Sequence, residues 1–179
     1  MNRMTLIAVS TITLLWSATA QAQGAADDGS RFRGGIALTG GFESVSFLSG
    51  PMFGVDGRLG LQLNDMLGFY VDSQLAFGSL STSGAGAGVS GLTGTFSVAA
   101  MGEVTLMDRF FGGLGFGYGV LNNPSGPMFE ARVGAYPFMG LGDDGVRRKG
   151  LMLGVDLRTI FSDVGTGVLV TGAIGYEAF

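Results

Sequence analysis

Asp56, Arg58, Asp72, Glu103, Glu130, Arg132, Asp156, Arg158 and Glu177 are the side chains of this sequence with the most chemistry in them. Carboxylates held close together can share a proton and work as acid and base, and arginines among them can pair with them or hold an anion. Asp56 stands two residues from Arg58, Glu130 two from Arg132 and Asp156 two from Arg158, which in an extended chain puts each pair on one face. What is missing narrows the choice. The 179 residues contain no His, the commonest general base and metal ligand, and no Cys with which to build a disulfide framework. The run GAGAGVSG over 84–91 has no Lys-Ser/Thr after it and no helix to open, so it is a flexible loop rather than a phosphate cradle. No set of residues points to catalysis, a cofactor or a metal, and the chain reads as a non-enzyme.

The elements that carry these charges alternate at period two. In 150–161, Leu151, Leu153, Val155, Leu157 and Phe161 share one face, and Met152, Gly154, Asp156 and Arg158 the other. The same alternation predicts eight strands, at Arg31–Phe47, Met52–Leu63, Leu67–Leu80, Phe96–Leu106, Phe110–Val120, Met128–Met139, Gly150–Phe161 and Val168–Phe179. In the sixth, Phe129, Ala131, Val133 and Ala135 would face outward, and Glu130, Arg132, Tyr136 and Phe138 inward. Turns or loops are expected at 49–51, 64–65, 81–95, 107–109, 122–126, 141–149 and 162–167, from their Gly, Asn, Asp, Ser and Pro content. Every one of the nine charges lies on the face opposite the apolar residues.

The first 22 residues read as a secretory signal peptide, with Arg3 before an apolar core over Thr5–Trp16 and a small-x-small cleavage site at Ala20-Gln21-Ala22. That core is shorter than the ~20 residues of a spanning helix. Residues 23–30 form a short polar lead, and 31–179 a single β-domain. The ten basic residues, one of them Arg3, stand against fourteen acidic ones, so nucleic acid is not a partner.

A charged face and an apolar face fit a soluble barrel with its apolar side inward, or a membrane barrel with it outward. Two signals favour lipid outside. Phe53, Phe77, Phe96, Tyr118, Phe129 and Phe161 share the apolar parity and fall at one end of their strands, with Phe69 and Phe110 at the other, as interfacial girdles do. Lys149 is the only lysine, whereas a solvated outer face would carry many. One charge on the lipid side would cost about 2–4 kcal/mol at the midplane, so nine go inside.

The C-terminal GAIGYEAF, ending in Phe179 with Tyr176 before it, adds a local motif. With it the chain resembles the small eight-stranded Gram-negative outer-membrane barrels, the OmpA/OmpX/OmpW-type group, over the whole of the mature chain as architecture. Glu177 departs from that motif, at a position the group gives to an apolar residue. The resemblance implies an all-β, eight-stranded antiparallel up-and-down transmembrane β-barrel in the cell outer membrane. It implies outer-membrane lipid as surroundings, and assembly machinery that reads Tyr176 and Phe179.

Three roles follow: a structural or surface-exposed barrel with a salt-bridged interior, a carrier or narrow channel for small hydrophobic molecules, and a soluble periplasmic ligand-binding barrel. The first rests on an eight-stranded interior being just wide enough for side chains to fill. The second rests on Gly113, Gly115, Gly117 and Gly119, which leave inward space on the fifth strand for a slot, unless long Arg and Tyr side chains from the other strands take it. The turn charges Asp65, Asp108, Arg109, Asp143, Asp144, Arg147, Arg148 and Lys149 read as solvated, with anionic lipid headgroups the functional alternative.

Overall fold

The computed structural model describes residues 30–46, 48–82, 90–121, 125–142, 147–163 and 165–179. The expected signal peptide and almost all of the polar lead lie outside these. Eight strands follow in order: β1 (Arg31–Val45), β2 (Leu48–Gln62), β3 (Leu67–Thr82), β4 (Ser90–Leu106), β5 (Phe110–Leu121), β6 (Ser125–Leu141), β7 (Arg147–Ser162) and β8 (Gly165–Ala178). Each pairs antiparallel with the next, and β8 pairs with β1, so the sheet closes into a barrel with no edge left over. A path across the ladders that leaves β1 at Gly34 returns to it at Ser44. That stagger sets a strand tilt of about 40°.

Local chemistry explains the reversals. Asn64 turns the chain by accepting hydrogen bonds on Oδ1 from the backbone N–H of Met66 at 2.9 Å and Leu67 at 2.8 Å. Met107 and Asp108 both take the left-handed conformation, φ 53° and 56°, the geometry of a tight hairpin turn. The expected turn at 49–51 is not one. Ser49, Gly50 and Pro51 belong to β2, and the chain reverses earlier, at Ser46 with φ 55°. Pro51 is accommodated because the β2–β3 ladder makes no pair between Ser49 and Met52, so its missing N–H leaves no partner unmet there. The loop expected over 81–95 is shorter, because β3 runs on to Thr82 and β4 starts at Ser90. Ser125, Gly126 and residues 165–167 likewise pair in strands.

The two faces are sorted as the alternation requires. Leu38, Phe53 and Phe116 are 64%, 71% and 73% exposed on the outside, while Asp56, Arg58, Arg132 and Arg158 are buried inside. This is the reverse of a soluble barrel with an apolar interior, the third of the roles considered. Phe138 is a correction, since it points outward rather than inward. A bulge sets Tyr136 and Pro137 against Met152 alone, with pairing resuming at Phe138↔Leu151, so the parity of β6 flips below Tyr136. The N–H of Tyr136 leaves that ladder and donates to the Arg109 carbonyl at 2.7 Å.

The richness in glycine has a partial reason in this curvature. At Gly117 a side chain would meet the Val98 carbonyl oxygen and Ala99 Cα of the neighbouring strand, so β4 and β5 close up only because nothing is there. On the outer face Phe53, Phe69 and Phe77 instead lie over Gly40, Gly102 and Gly94, each the directly paired residue.

Candidate functional site in the barrel interior

Four arginines and seven carboxylates are buried among the described residues, and nearly all meet inside the barrel. The strands bring the nine expected charges onto one inner wall because each keeps the inward parity of its strand. In the middle, Arg58 Nε donates to Asp56 Oδ1 and Asp72 Oδ2, both at 3.1 Å, and its Nη1 pairs with Glu177. Arg132 Nε pairs with Asp156, its Nη1 with Asp72 at 3.0 Å and its Nη2 with Asp56 at 3.4 Å. Arg158 Nη2 reaches Asp56 at 2.8 Å, Asp72 at 2.9 Å and Glu130 at 2.8 Å. Asp56 and Asp72 are thus each shared by three guanidinium groups, the arrangement in which planar forked donors hold dry carboxylates.

Nearer the chain termini a second group forms around Arg33, which is buried on the inner face of β1. Its Nη2 lies 2.6 Å from Glu103 and 2.7 Å from Glu177, and donates to the Tyr136 hydroxyl at 2.8 Å. The Tyr136 hydroxyl donates onward to Glu177 at 2.5 Å. Tyr70 donates to Glu103 at 2.9 Å and accepts from Arg132 at 3.3 Å, which ties the two groups together. Tyr70 and Tyr136 carry the inward parity, but only the closed barrel shows which acids they reach. Removing one hydroxyl should be felt. Tyr136→Phe is expected to lower the unfolding free energy by about 1–3 kcal/mol, read from the urea midpoint by circular dichroism, because Glu177 loses a buried donor.

The chain end is also placed. Tyr176 faces outward, but the Phe179 ring turns in at the mouth, edge-on to Tyr136 at 5.6 Å and 4.9 Å from the Arg33 guanidinium. Glu177 faces inward between them, which is why a carboxylate stands there.

Gly113, Gly115, Gly117 and Gly119 face the interior as expected, and the space beside them is taken. The filler is not arginine. Met101 lies against Gly115, and Ile160 and Met128 lie at 2.6 Å and 3.4 Å from the point where a side chain on Gly119 would begin. These belong to an apolar cluster with Met52, Leu121 and Leu169 that fills the barrel toward the end where β3 connects to β4, the long-loop end. The parity of Met101, Met128 and Ile160 was the available signal for it. The eight expected girdle aromatics all point outward, Phe129 half-buried edge-on against Phe116 at 5.3 Å. Of the turn charges, Asp65 pairs with Arg31 at 2.7 Å; Asp143 and Asp144 lie outside the described residues. Among the described residues, no group of three or more His, Cys, Asp or Glu side chains is set to hold a metal ion.

A closed eight-stranded antiparallel barrel is a fold shared with solved structures. The chain is similar to the outer membrane protein OprG from Pseudomonas aeruginosa, at 11% identity and a TM-score of 0.51, over 81% of this chain and 95% of that one. It is similar to Ail, the attachment invasion locus protein of Yersinia pestis, in a structure with the heparin analogue sucrose octasulfate, at 14% identity and 0.53, over 82% and 98%. Neisserial surface protein A matches at 12% identity and 0.55, over 84% and 98%. The fold is that of the small eight-stranded outer-membrane barrels. No family model and no curated protein matches the sequence. At these identities the likeness speaks for the small-barrel fold alone, and a small barrel's role has to be argued from its own residues.

Proposed function

We propose that the protein is a non-enzymatic small barrel of the outer membrane, exported by its N-terminal signal, with a structural or surface-exposed role rather than a transport role. The observation that carries this reading is the filled interior. Arg58, Arg132 and Arg158 bridge acids from β2, β3, β6 and β7 across the lumen, and the Met101, Met128 and Ile160 cluster occupies the space beyond them. A lumen crossed by direct ion pairs offers no continuous path for water or solute. With the N-terminus in the periplasm, the connections after β1, β3, β5 and β7 face outside, and Tyr176 and Phe179 serve the assembly machinery before folding.

The plug makes a plain prediction. Purified barrel added to planar lipid bilayers should give no conductance steps at any voltage the bilayer tolerates. Reproducible steps would remove the plugged reading and favour the narrow channel. Cell fractionation tests the location separately, and recovery in the soluble periplasm would contradict it.

A further inference from the structure

One carboxylate on the inner wall stands apart from the arginines. Glu43, on β1 near the long-loop end, is only 1% exposed, yet the ion pairs of the described residues engage other acids. Its Oε2 accepts a hydrogen bond from the Thr95 hydroxyl at 3.2 Å. Its Oε1 has no hydrogen-bond partner and lies 3.1 Å from where a side chain on Gly78 would begin. Gly78 pairs directly with Thr93, and a side chain there would meet the Pro51 carbonyl oxygen of β2 as well as Oε1, so Oε1 lies against bare backbone of β3. Thr93 itself is buried on the same inner face of β4 as Thr95, and its hydroxyl lies beside the Glu43 carboxyl.

An ionised carboxylate removed from water and from any cation is costly, and neutral hydroxyls offset only part of that cost. The oxygens around Glu43 lack a cationic donor but are the ligand type hard cations select. From this geometry we infer that Glu43, with Thr93 and Thr95, forms a site for a hard monovalent cation of the sodium class within the long-loop end of the barrel. A single acid matches a single charge. The multiple carboxylates that a calcium site draws on are not gathered at this point.

The test is thermal unfolding of the barrel extracted from membranes, followed by circular dichroism, with NaCl titrated against choline chloride at fixed ionic strength so that screening stays constant. Sodium should raise the midpoint saturably, and choline should not. Glu43→Gln keeps the shape and should abolish the sodium dependence. Thr95→Val should shift the sodium titration about tenfold toward weaker binding, as loss of one ligand does. A midpoint indifferent to sodium in the unaltered barrel would overturn the site, as would sodium dependence that survives Glu43→Gln. If Glu43→Gln melts higher than the unaltered barrel in both salts alike, the carboxyl holds only a proton, and the cation site is equally overturned.

Discussion

Replacing Arg132 with methionine is expected to lower the unfolding free energy by about 3–5 kcal/mol, measured by urea unfolding of the barrel in detergent. The guanidinium is fully buried and pairs with Asp156, Asp72 and Asp56 while donating to Tyr70. Methionine fills much of the volume but leaves three dry acids with one fewer cation among them. The loss is therefore electrostatic rather than a packing defect. Adding Asp156→Asn to Arg132→Met removes the acid most closely held by that arginine, and should recover part of the loss. The double-mutant cycle then reads the coupling directly. A single replacement costing under about 1 kcal/mol would mean the acids do not depend on Arg132 at all.

The second large effect comes from adding one methyl group. Gly117→Ala is expected to cost about 1–3 kcal/mol or to prevent refolding, because the new Cβ meets the Val98 carbonyl oxygen and lies 2.6 Å from Ala99 Cα. Both are backbone of β4, so no side chain can swing aside. Gly172→Ala is the matched control, since it faces outward and its nearest neighbour is the Gly40 carbonyl oxygen at 3.7 Å. It should change stability by less than about 0.5 kcal/mol. Refolded yield and urea midpoint report both, and equal effects at the two positions would show that strand approach at β4–β5 is not what excludes a side chain.

Which side each residue faces could be read from the chain, because strand parity needs no knowledge of neighbours. Asp56, Arg58, Asp72 and Glu177 all lie inside as alternation requires. Parity fails where a strand gains a residue, and Phe138 flipped for that reason, since no local pattern marks the bulge at Tyr136 and Pro137 beyond the proline itself. Pro51 misled in the opposite sense, suggesting a turn where a gap in one ladder absorbs it. Height and partner choice were not legible. That Arg33 meets Glu177 and Tyr136, 144 and 103 residues away, follows from closure and stagger, which no window of sequence contains. The same holds for the space beside the β5 glycines, filled from β4, β6 and β7 by apolar side chains rather than by arginine heads.

Glu177 arrives on the last strand yet serves residues of the first, second and sixth: Arg33, Arg58 and Tyr136. Until β8 zips against β1, those guanidinium groups lack a principal acid, and an unpaired charge does not leave water willingly. The lumen of a partly assembled barrel therefore has to stay wet. Seam closure joins segments at opposite ends of the domain, the pairing with the largest loop entropy and the slowest to form. Drying of the interior is thus tied to the pairing of β8 with β1, because the last strand carries the acid that the arginines of the first two strands need.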